Sequence, residues 1–165
     1  MFGLTPLGIF HTAISLIAVA TGAIALIRDG KITWDKPVGK TYVVATIIVC
    51  LTGFGIFQHG GFGKPHVLGI LTLFVLGVVF AAGKKNKPFG WLSPYIETVG
   101  YSMTFFFHVI PGITETATRL PQGAPLASGP DDPNIQTAIG VSFLLFLIGA
   151  ILQARNLRVT LQTKI

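Results

Sequence analysis

Apolar residues are concentrated in five stretches of the chain, separated by polar segments rich in Gly, Pro, Asp and Lys. The stretches cover residues 4–27, 41–58, 67–82, 91–110 and 135–153. About 20 apolar residues let a helix cross the hydrocarbon core of a bilayer, and about 17 is the practical minimum. The pattern therefore predicts an all-α integral membrane bundle of five transmembrane helices, forming one domain over residues 1–165.

The composition agrees with this pattern. The chain is 51% hydrophobic and only 11% charged, with a mean hydropathy of +0.70, whereas a soluble domain carries about 25% charged residues. Because so little charge is available to cover a water-facing surface, composition favours an integral membrane protein. The single cysteine, Cys50, excludes a disulfide within the chain.

The first apolar stretch is interpreted as a retained span and not as a cleaved signal peptide. No Lys or Arg precedes Arg28, so the basic segment that opens a signal peptide is missing. The apolar run is also longer than that of an ordinary signal peptide. We therefore expect this stretch to be the first transmembrane helix.

Basic residues are distributed unequally between the two sides that five spans define. One side carries ten of the twelve: Arg28, Lys31, Lys36, Lys40, Lys84, Lys85, Lys87, Arg155, Arg158 and Lys164. Lys64 and Arg119 lie on the other side. Because cytoplasmic loops are enriched in Lys and Arg, the N-terminus is predicted outside and the C-terminus in the cytoplasm. The basic rim attracts anionic lipid headgroups, which explains the net charge of +6 without nucleic acid.

All four histidines are predicted in the outer half of this bundle. His59 ends the second span and His66 begins the third, on either side of a short glycine-rich loop. His11 and His108 lie within the first and fourth spans, and at 1.5 Å per residue each is about 10 Å or less from the outer boundary. The sequence therefore predicts that several imidazoles meet near the outer mouth of the bundle.

Polar residues in two of the spans follow helical stripes. One stripe in the fourth span consists of Glu97, Tyr101, Thr104 and His108. One in the first span consists of His11, Ser15, Ala18 and Gly22. Since polar groups are costly in lipid, these stripes are expected to face the bundle interior, where small residues allow helices to approach closely.

Imidazoles on membrane helices suggest two kinds of site. Two histidines from different helices ligate a b-type haem, and imidazole clusters bind copper or zinc. His11 and His108 are the predicted cofactor-binding pair, and His59, His66 and Glu115 are predicted as metal ligands. Plainer interpretations stay open, because a histidine near a helix end often contacts a headgroup or caps the helix. His11 and His108 can equally form hydrogen bonds to neighbouring helices.

The segment 112–134 is predicted to be a long outer loop. Four prolines and the run Asp131–Asp132–Pro133 argue against a helix through its second half. The first part, 113–120, can either continue the fourth helix beyond Pro111 or lie flat on the outer surface. Long loops in compact proteins are usually functional or disordered. This loop could cover the histidines as a lid, could dock a partner, or could do neither.

Parts of the chain resemble a family of small bacterial multi-helix membrane proteins whose role is unassigned. The resemblance covers about residues 7–110 and is carried by FHTAISLIAVATGAIALIRDGK and GKTYVVATIIVCLTGF. Members have an early histidine in the first helix and a turn of the form His-x-x-x-Gly-x-x-Tyr. Gly39 and Tyr42 match that turn, but position 35 is aspartate, which removes an inner-side ligand. The resemblance implies a bacterial inner-membrane location and indicates little about activity.

No motif of the common enzyme classes is present in the sequence. It contains no P-loop, dinucleotide glycine pattern, Gly-x-Ser-x-Gly or His-Glu-x-x-His, so an enzyme is less favoured than a binding or structural protein. The first hypothesis is a membrane protein that binds haem b or a transition metal, for electron transfer or assembly of a respiratory-type complex. The second is a cofactor-free accessory subunit of a larger membrane complex or homo-oligomer. The third is a lipid or quinone binder.

Overall fold

The computed structural model describes residues 5–57 and 61–163 of the chain. These residues form five α-helices and no strand, which confirms the all-α prediction. The helices are α1 (Pro6–Asp29), α2 (Pro37–Gly53), α3 (Lys64–Ala82), α4 (Ser93–Arg119) and α5 (Pro133–Gln162). A single 3-10 turn, Gly90–Leu92, leads into α4. Among the described residues, α1, α3 and α5 are long and apolar enough to cross a membrane, whereas α2 is apolar but only 17 residues long.

Every one of these helices has a proline in its first two positions, namely Pro6, Pro37, Pro65, Pro94 and Pro133. Proline fixes φ near the helical value and lacks an N–H that the first turn leaves unpaired anyway, so it begins helices well. The side chain of Thr5 caps α1 by accepting the Gly8 N–H at 3.1 Å. Asp132 caps α5 by accepting the Asn134 N–H at 2.9 Å.

Three helices, α2, α4 and α5, differ clearly from the apolar pattern in their bounds, and α5 continues to Gln162 where the pattern predicted an end at 153. The second helix begins at Pro37 and ends at Gly53, whereas the pattern predicted 41–58. The fourth continues through Pro111 to Arg119, so the connection to α5 is 120–132 and not 112–134. Proline at position 111 removes only the N–H that the Phe107 carbonyl would accept. The connection folds back onto α4, because the Ala127 N–H donates to the Ala117 carbonyl at 3.0 Å.

Side-chain contacts define the direction of α1, α2 and α4. His11 near the start of α1 bonds to Thr52 near the end of α2, so these two helices are antiparallel. Tyr42 bonds to Thr104, and one turn later Thr46 bonds to His108, so α2 and α4 are parallel.

The contacts of α3 and α5 complete this up-and-down arrangement. Gly100 near the start of α4 packs against Val79 near the end of α3. Ser102 bonds to Gln153, and Phe106 stacks on Phe146, so α5 also runs antiparallel to α4. Therefore α1, α3 and α5 begin at one end of the bundle, which we call the histidine end, and finish at the other, the basic end.

Small residues allow the helices to approach closely. Ala18, Gly22 and Ala25 are the buried residues in the middle and second half of α1. A Cβ at Gly22 would meet the rings of Phe105 and Tyr42. Ala18 and Gly22 belong to the stripe predicted from His11 through Gly22, and these two residues face the interior as predicted.

The connection between α1 and α2 packs tightly at the basic end. Its Ile32 side chain is only 1% exposed. A Cβ at Gly39 would overlap the Thr33 carbonyl oxygen, so only glycine fits there. Asp29 accepts hydrogen bonds from Arg28 and Lys36 at 2.9 and 2.6 Å, which ties the two ends of the connection together.

The contact between α3 and α4 yields a test of the packing. In Gly100→Ala the new methyl group would overlap the Val79 side chain, which is stiff and buried. We expect the free energy of unfolding in detergent to fall by about 1–3 kcal/mol, as overpacking usually causes. The control is Gly112→Ala on the same helix, where nothing lies within 4 Å; it should be neutral or stabilising by up to about 1 kcal/mol. Equal stability of the two variants would contradict this packing.

Candidate functional site

Three hydrogen bonds between side chains join α2 to its neighbours, and we call the residues that form them the polar seam. They pair His11 with Thr52, His108 with Thr46, and Tyr42 with Thr104. The distances are 2.9 Å from His11 Nδ1, 3.0 Å from His108 Nε2 and 2.8 Å from the Tyr42 hydroxyl. Helix α2 contributes one member to each pair and is therefore the centre of the arrangement.

The hydroxyl protons of the three threonines define the direction of these bonds. Thr46, Thr52 and Thr104 each donate to a backbone carbonyl three or four residues earlier in their own helix, at 2.8 Å. A hydroxyl carries a single proton, so a threonine that donates to its own helix accepts the bond that comes from the other helix. In that arrangement the ring proton of His11 is on Nδ1 and that of His108 is on Nε2.

Most of the polar seam is sealed from solvent. Tyr42, Thr46 and Thr104 have no exposed surface, and His108 is 7% exposed with its ring edge-on to Tyr42 at 6.0 Å. His11 is half-buried, with its ring beside Gly53. The predicted stripe of α4 is confirmed for Tyr101, Thr104 and His108, which are all buried, and Glu97 is half-buried.

Each seam histidine retains one ring nitrogen with an unprotonated lone pair, Nε2 of His11 and Nδ1 of His108. Histidines that bind metals commonly donate their other ring N–H to a fixed acceptor, as both do here. The arrangement is therefore compatible with a small cation beside either ring.

The hydrogen bonds of His11 and His108 bear on the predicted haem site. Their partners Thr46 and Thr52 are six residues apart on α2, which separates them by about 9 Å along the helix axis. Coordination through His108 Nε2 would also break its bond to Thr46. The cofactor-binding pair of His11 and His108 stays a prediction.

His66 has a local role at the start of α3. Its Nδ1 accepts the Gly63 N–H at 3.2 Å, which caps the helix. Its ring is stacked between Phe57 and Phe62, with centroid distances of 5.1 Å to each. Because Nδ1 accepts, the proton is on Nε2, which is buried and has no hydrogen-bond partner among the described residues. With that proton Nε2 has no lone pair for a metal.

The other predicted metal ligands are not seen together. His59 lies outside the described residues, and Glu115 forms an ion pair with Arg119 one turn further along α4. Within 5–57 and 61–163, no group of three or more His, Cys, Asp or Glu side chains is placed to hold a metal. The set of His59, His66 and Glu115 stays a prediction.

Gln153 was not singled out in the sequence, although it fixes α5. Its Oε1 accepts the Ser102 hydroxyl at 2.9 Å, and its Nε2 donates to the Gly30 carbonyl at 2.8 Å. One amide thus connects α5 to α4 and to the end of α1. A lone glutamine at the end of an apolar run is the signal that could have identified it.

Together the fold and the polar seam define an all-α protein, three of whose described helices are suited to cross a membrane. Comparisons with protein-family models, curated proteins and solved structures give no match to this chain. The family resemblance noted in the sequence therefore stays a prediction, and arguments about function depend on the residues themselves.

The polar seam predicts a large effect of one missing hydroxyl. Thr46→Val keeps a branched side chain but leaves the buried His108 N–H without an acceptor. We expect the free energy of unfolding to fall by about 1–3 kcal/mol, the usual penalty for an unpaired buried donor. Thr41→Val is the matched control, because Thr41 is exposed on the same helix and bonds only to the Pro37 carbonyl; its effect should stay within about 0.5 kcal/mol. Chemical denaturation in detergent measures both, and similar losses would contradict the assigned bond.

Proposed function

We propose that the chain is a five-span protein of the bacterial inner membrane that serves as a structural accessory subunit of a larger membrane complex. The observation that carries this proposal is the polar seam. Both intramembrane histidines donate to threonines of α2, and each threonine passes its only proton to a backbone carbonyl. The imidazoles thus connect helices, and their bonds end on the backbone without forming a proton path.

The topology of the bundle supports five spans. Helices α1, α3 and α5 run in the same direction, and each is long and apolar enough to cross. If all three cross the membrane, the chain must return twice, and only α2 and α4 are available to carry it. Helix α2, at about 26 Å, is close to the minimum length for a span. Helix α4 has a lower apolar content, but its Tyr101, Thr104 and His108 face the interior.

The charge distribution supports an N-terminus outside and a C-terminus in the cytoplasm. Nine of the ten basic residues predicted inside are described, and all lie at or near the basic end: in the last turn of α1, between α1 and α2 or in the first turn of α2, after α3, or in the last turns of α5. The excess of Lys and Arg on cytoplasmic loops in bacterial membrane proteins then favours that end as the inner one.

Cysteine labelling in intact cells tests this orientation. In a Cys50→Ser background, Ser128→Cys should react with a membrane-impermeant maleimide, because residue 128 is exposed in the connection at the histidine end. Asn86→Cys, exposed in the connection between α3 and α4, should react only after the membrane is opened. The reverse result would invert the proposed orientation, and labelling of both positions in intact cells would contradict a fixed topology.

The surface of α5 supports a partner within the membrane. Among the described helices, α5 packs against α4 alone, and Ile135 is its only buried residue. Large apolar side chains remain exposed along its length, including Leu144, Leu145, Ile148 and Ile151. Such a helix is held in place on one side and presents the rest of its apolar circumference to lipid or to a second membrane protein.

A second candidate function is metal binding or electron transfer, as the sequence suggested. The unprotonated nitrogens of His11 and His108 favour it, because each has a lone pair that a metal ion can accept. A single transition-metal ion suits these groups better than haem, given the bond between His108 Nε2 and Thr46. The lipid or quinone pocket in the outer half stays a prediction.

Substitutions that preserve the N–H donors separate the two functions. In His108→Gln the amide nitrogen replaces Nε2, and in His11→Asn it replaces Nδ1, so both variants can still donate to their threonines. A structural role predicts that each keeps the wild-type free energy of unfolding within about 1 kcal/mol. Leucine at the same positions removes the donor. The free energy of unfolding of each leucine variant should be lower than that of the matching amide variant by about 1 kcal/mol.

Absorption spectra and metal analysis of the same purified proteins complete the experiment. A Soret band or a stoichiometric metal in the wild-type protein, lost in His108→Gln or His11→Asn, would contradict the structural role and support the second candidate. Native electrophoresis in mild detergent tests the partner: the chain should migrate with a stoichiometric second protein. Migration as the isolated chain or as a homo-oligomer would exclude a subunit of a mixed complex.

A further inference from the structure

A hollow of about 660 Å³ lies at the basic end of the bundle, away from the polar seam. One wall comes from the turn before α4 and its first residues, with Trp91 and Tyr95. The other wall comes from the last turns of α5, with Arg155, Arg158 and Leu161. The hollow therefore combines two guanidinium groups, two aromatic side chains with polar tips, and an apolar residue.

The two arginines of this hollow have no carboxylate partner among the described residues. The carboxylates at this end of the bundle belong to Asp29, Asp35 and Glu97, and none of them forms an ion pair with Arg155 or Arg158. Asp29 is bonded to Arg28 and Lys36. The carboxylate of Glu97 lies beside Gly83 at the end of α3. The hollow thus carries two uncompensated positive charges, and an anion is the complementary ligand.

Trp91 and Tyr95 supply neutral donors to the same hollow. Their rings meet edge to face with centroids 6.2 Å apart, and Trp91 is 77% exposed. Neither the indole N–H nor the phenol O–H has a hydrogen-bond partner among the residues that the structure describes. Tryptophan and tyrosine are enriched where the bilayer core meets the headgroups, because their rings are apolar and their tips polar.

The position of the arginines along α5 matches the headgroup region. The apolar run of α5 ends at Gln153, whose amide is bonded to the Gly30 carbonyl. The helix continues for nine more residues to Gln162, which is about 14 Å beyond that point. Arg155 and Arg158 lie in the first part of this extension, just past the apolar run.

We infer that this hollow binds the phosphate of an anionic phospholipid headgroup in the leaflet at the basic end. The guanidinium groups form charge-assisted, two-pronged hydrogen bonds with phosphate oxygens. Trp91 and Tyr95 donate from the facing wall, and the apolar surface of α5 continues from the hollow along the acyl chains. Basic pockets between membrane helices are known sites for such headgroups. The inference uses the membrane location of the proposed function but not its accessory role.

Lipid titration of the detergent-purified full-length chain tests this site. We expect phosphatidylglycerol or cardiolipin to raise the thermal unfolding temperature, and phosphatidylcholine to raise it less. In the double variant Arg155→Gln/Arg158→Gln, the concentration of anionic lipid that gives half of the shift should rise on the order of tenfold. The matched control, Lys84→Gln/Lys85→Gln, removes the same charge at the same end but outside the hollow, and its titration should stay within about twofold of wild type.

Two results would overturn the inference. Equal weakening in both double variants would mean that the lipid responds only to the total charge of the basic end. An equal shift with glycerol 3-phosphate or inorganic phosphate, lost in the arginine variant, would identify a free phosphate site and not a lipid site. Native mass spectrometry of the wild-type protein adds a readout that needs no variant, since about one anionic lipid should stay bound. The histidine and electrophoresis experiments test the accessory role separately, because they concern other residues.

Discussion

The structure depends on a simple property of threonine in a membrane helix. A threonine hydroxyl that donates to the carbonyl one turn earlier has satisfied its own proton, yet it still offers an oxygen lone pair to a neighbouring helix. Thr46 and Thr52 use this property to accept from His108 and His11, and Thr104 uses it to accept from Tyr42. Since most of the polar seam is sealed from solvent, donors on α1, α2 and α4 that lost these acceptors would remain unpaired. The bonds thus specify which faces of α1, α2 and α4 meet.

Close approach of the helices is the second condition for these bonds. A hydrogen bond of about 3 Å between side chains as short as threonine and histidine requires neighbouring backbones to be near each other. Gly22 of α1 admits the rings of Tyr42 and Phe105, and Gly53 leaves room for the His11 ring. Small residues let the helix backbones approach closely, and this close approach lets the polar side chains form hydrogen bonds between helices.

The sequence predicted the features that membrane physics constrains most strongly. Apolar runs gave the five helices, and the cost of polar groups in lipid placed Tyr101, Thr104 and His108 on one buried face. It did not predict the partners, because the choice between Thr46 and Thr52 depends on the depth and rotation of α4 relative to α2. The predicted helix boundaries were also wrong near two prolines. Helix α2 begins at Pro37, before its apolar run, and α4 continues past Pro111. The sequence left open that His66 caps a helix. It did not predict that the His66 ring stacks between two phenylalanines, because this stacking depends on the geometry of the loop.

The two ends of the bundle solve different physical problems. At the histidine end, His11 and His108 bond to threonines of the polar seam, and His66 accepts the Gly63 N–H as the cap of α3. The Nε2 atom of His66 is buried without a hydrogen-bond partner among the described residues. At the basic end, Arg155 and Arg158 lie beyond the apolar run of α5, where the proposed lipid phosphate would take the place of a carboxylate of the chain. Asp29 pairs with Arg28 and Lys36 at the basic end, and Asp131 and Glu115 pair with Lys64 and Arg119 at the histidine end, so the six acidic residues of the chain do not neutralise all twelve basic ones. The hydrogen bonds that join α1, α2 and α4 lie deep in the bundle. Helix α5 is bonded through Gln153, and its outer face is available to lipid or to another protein.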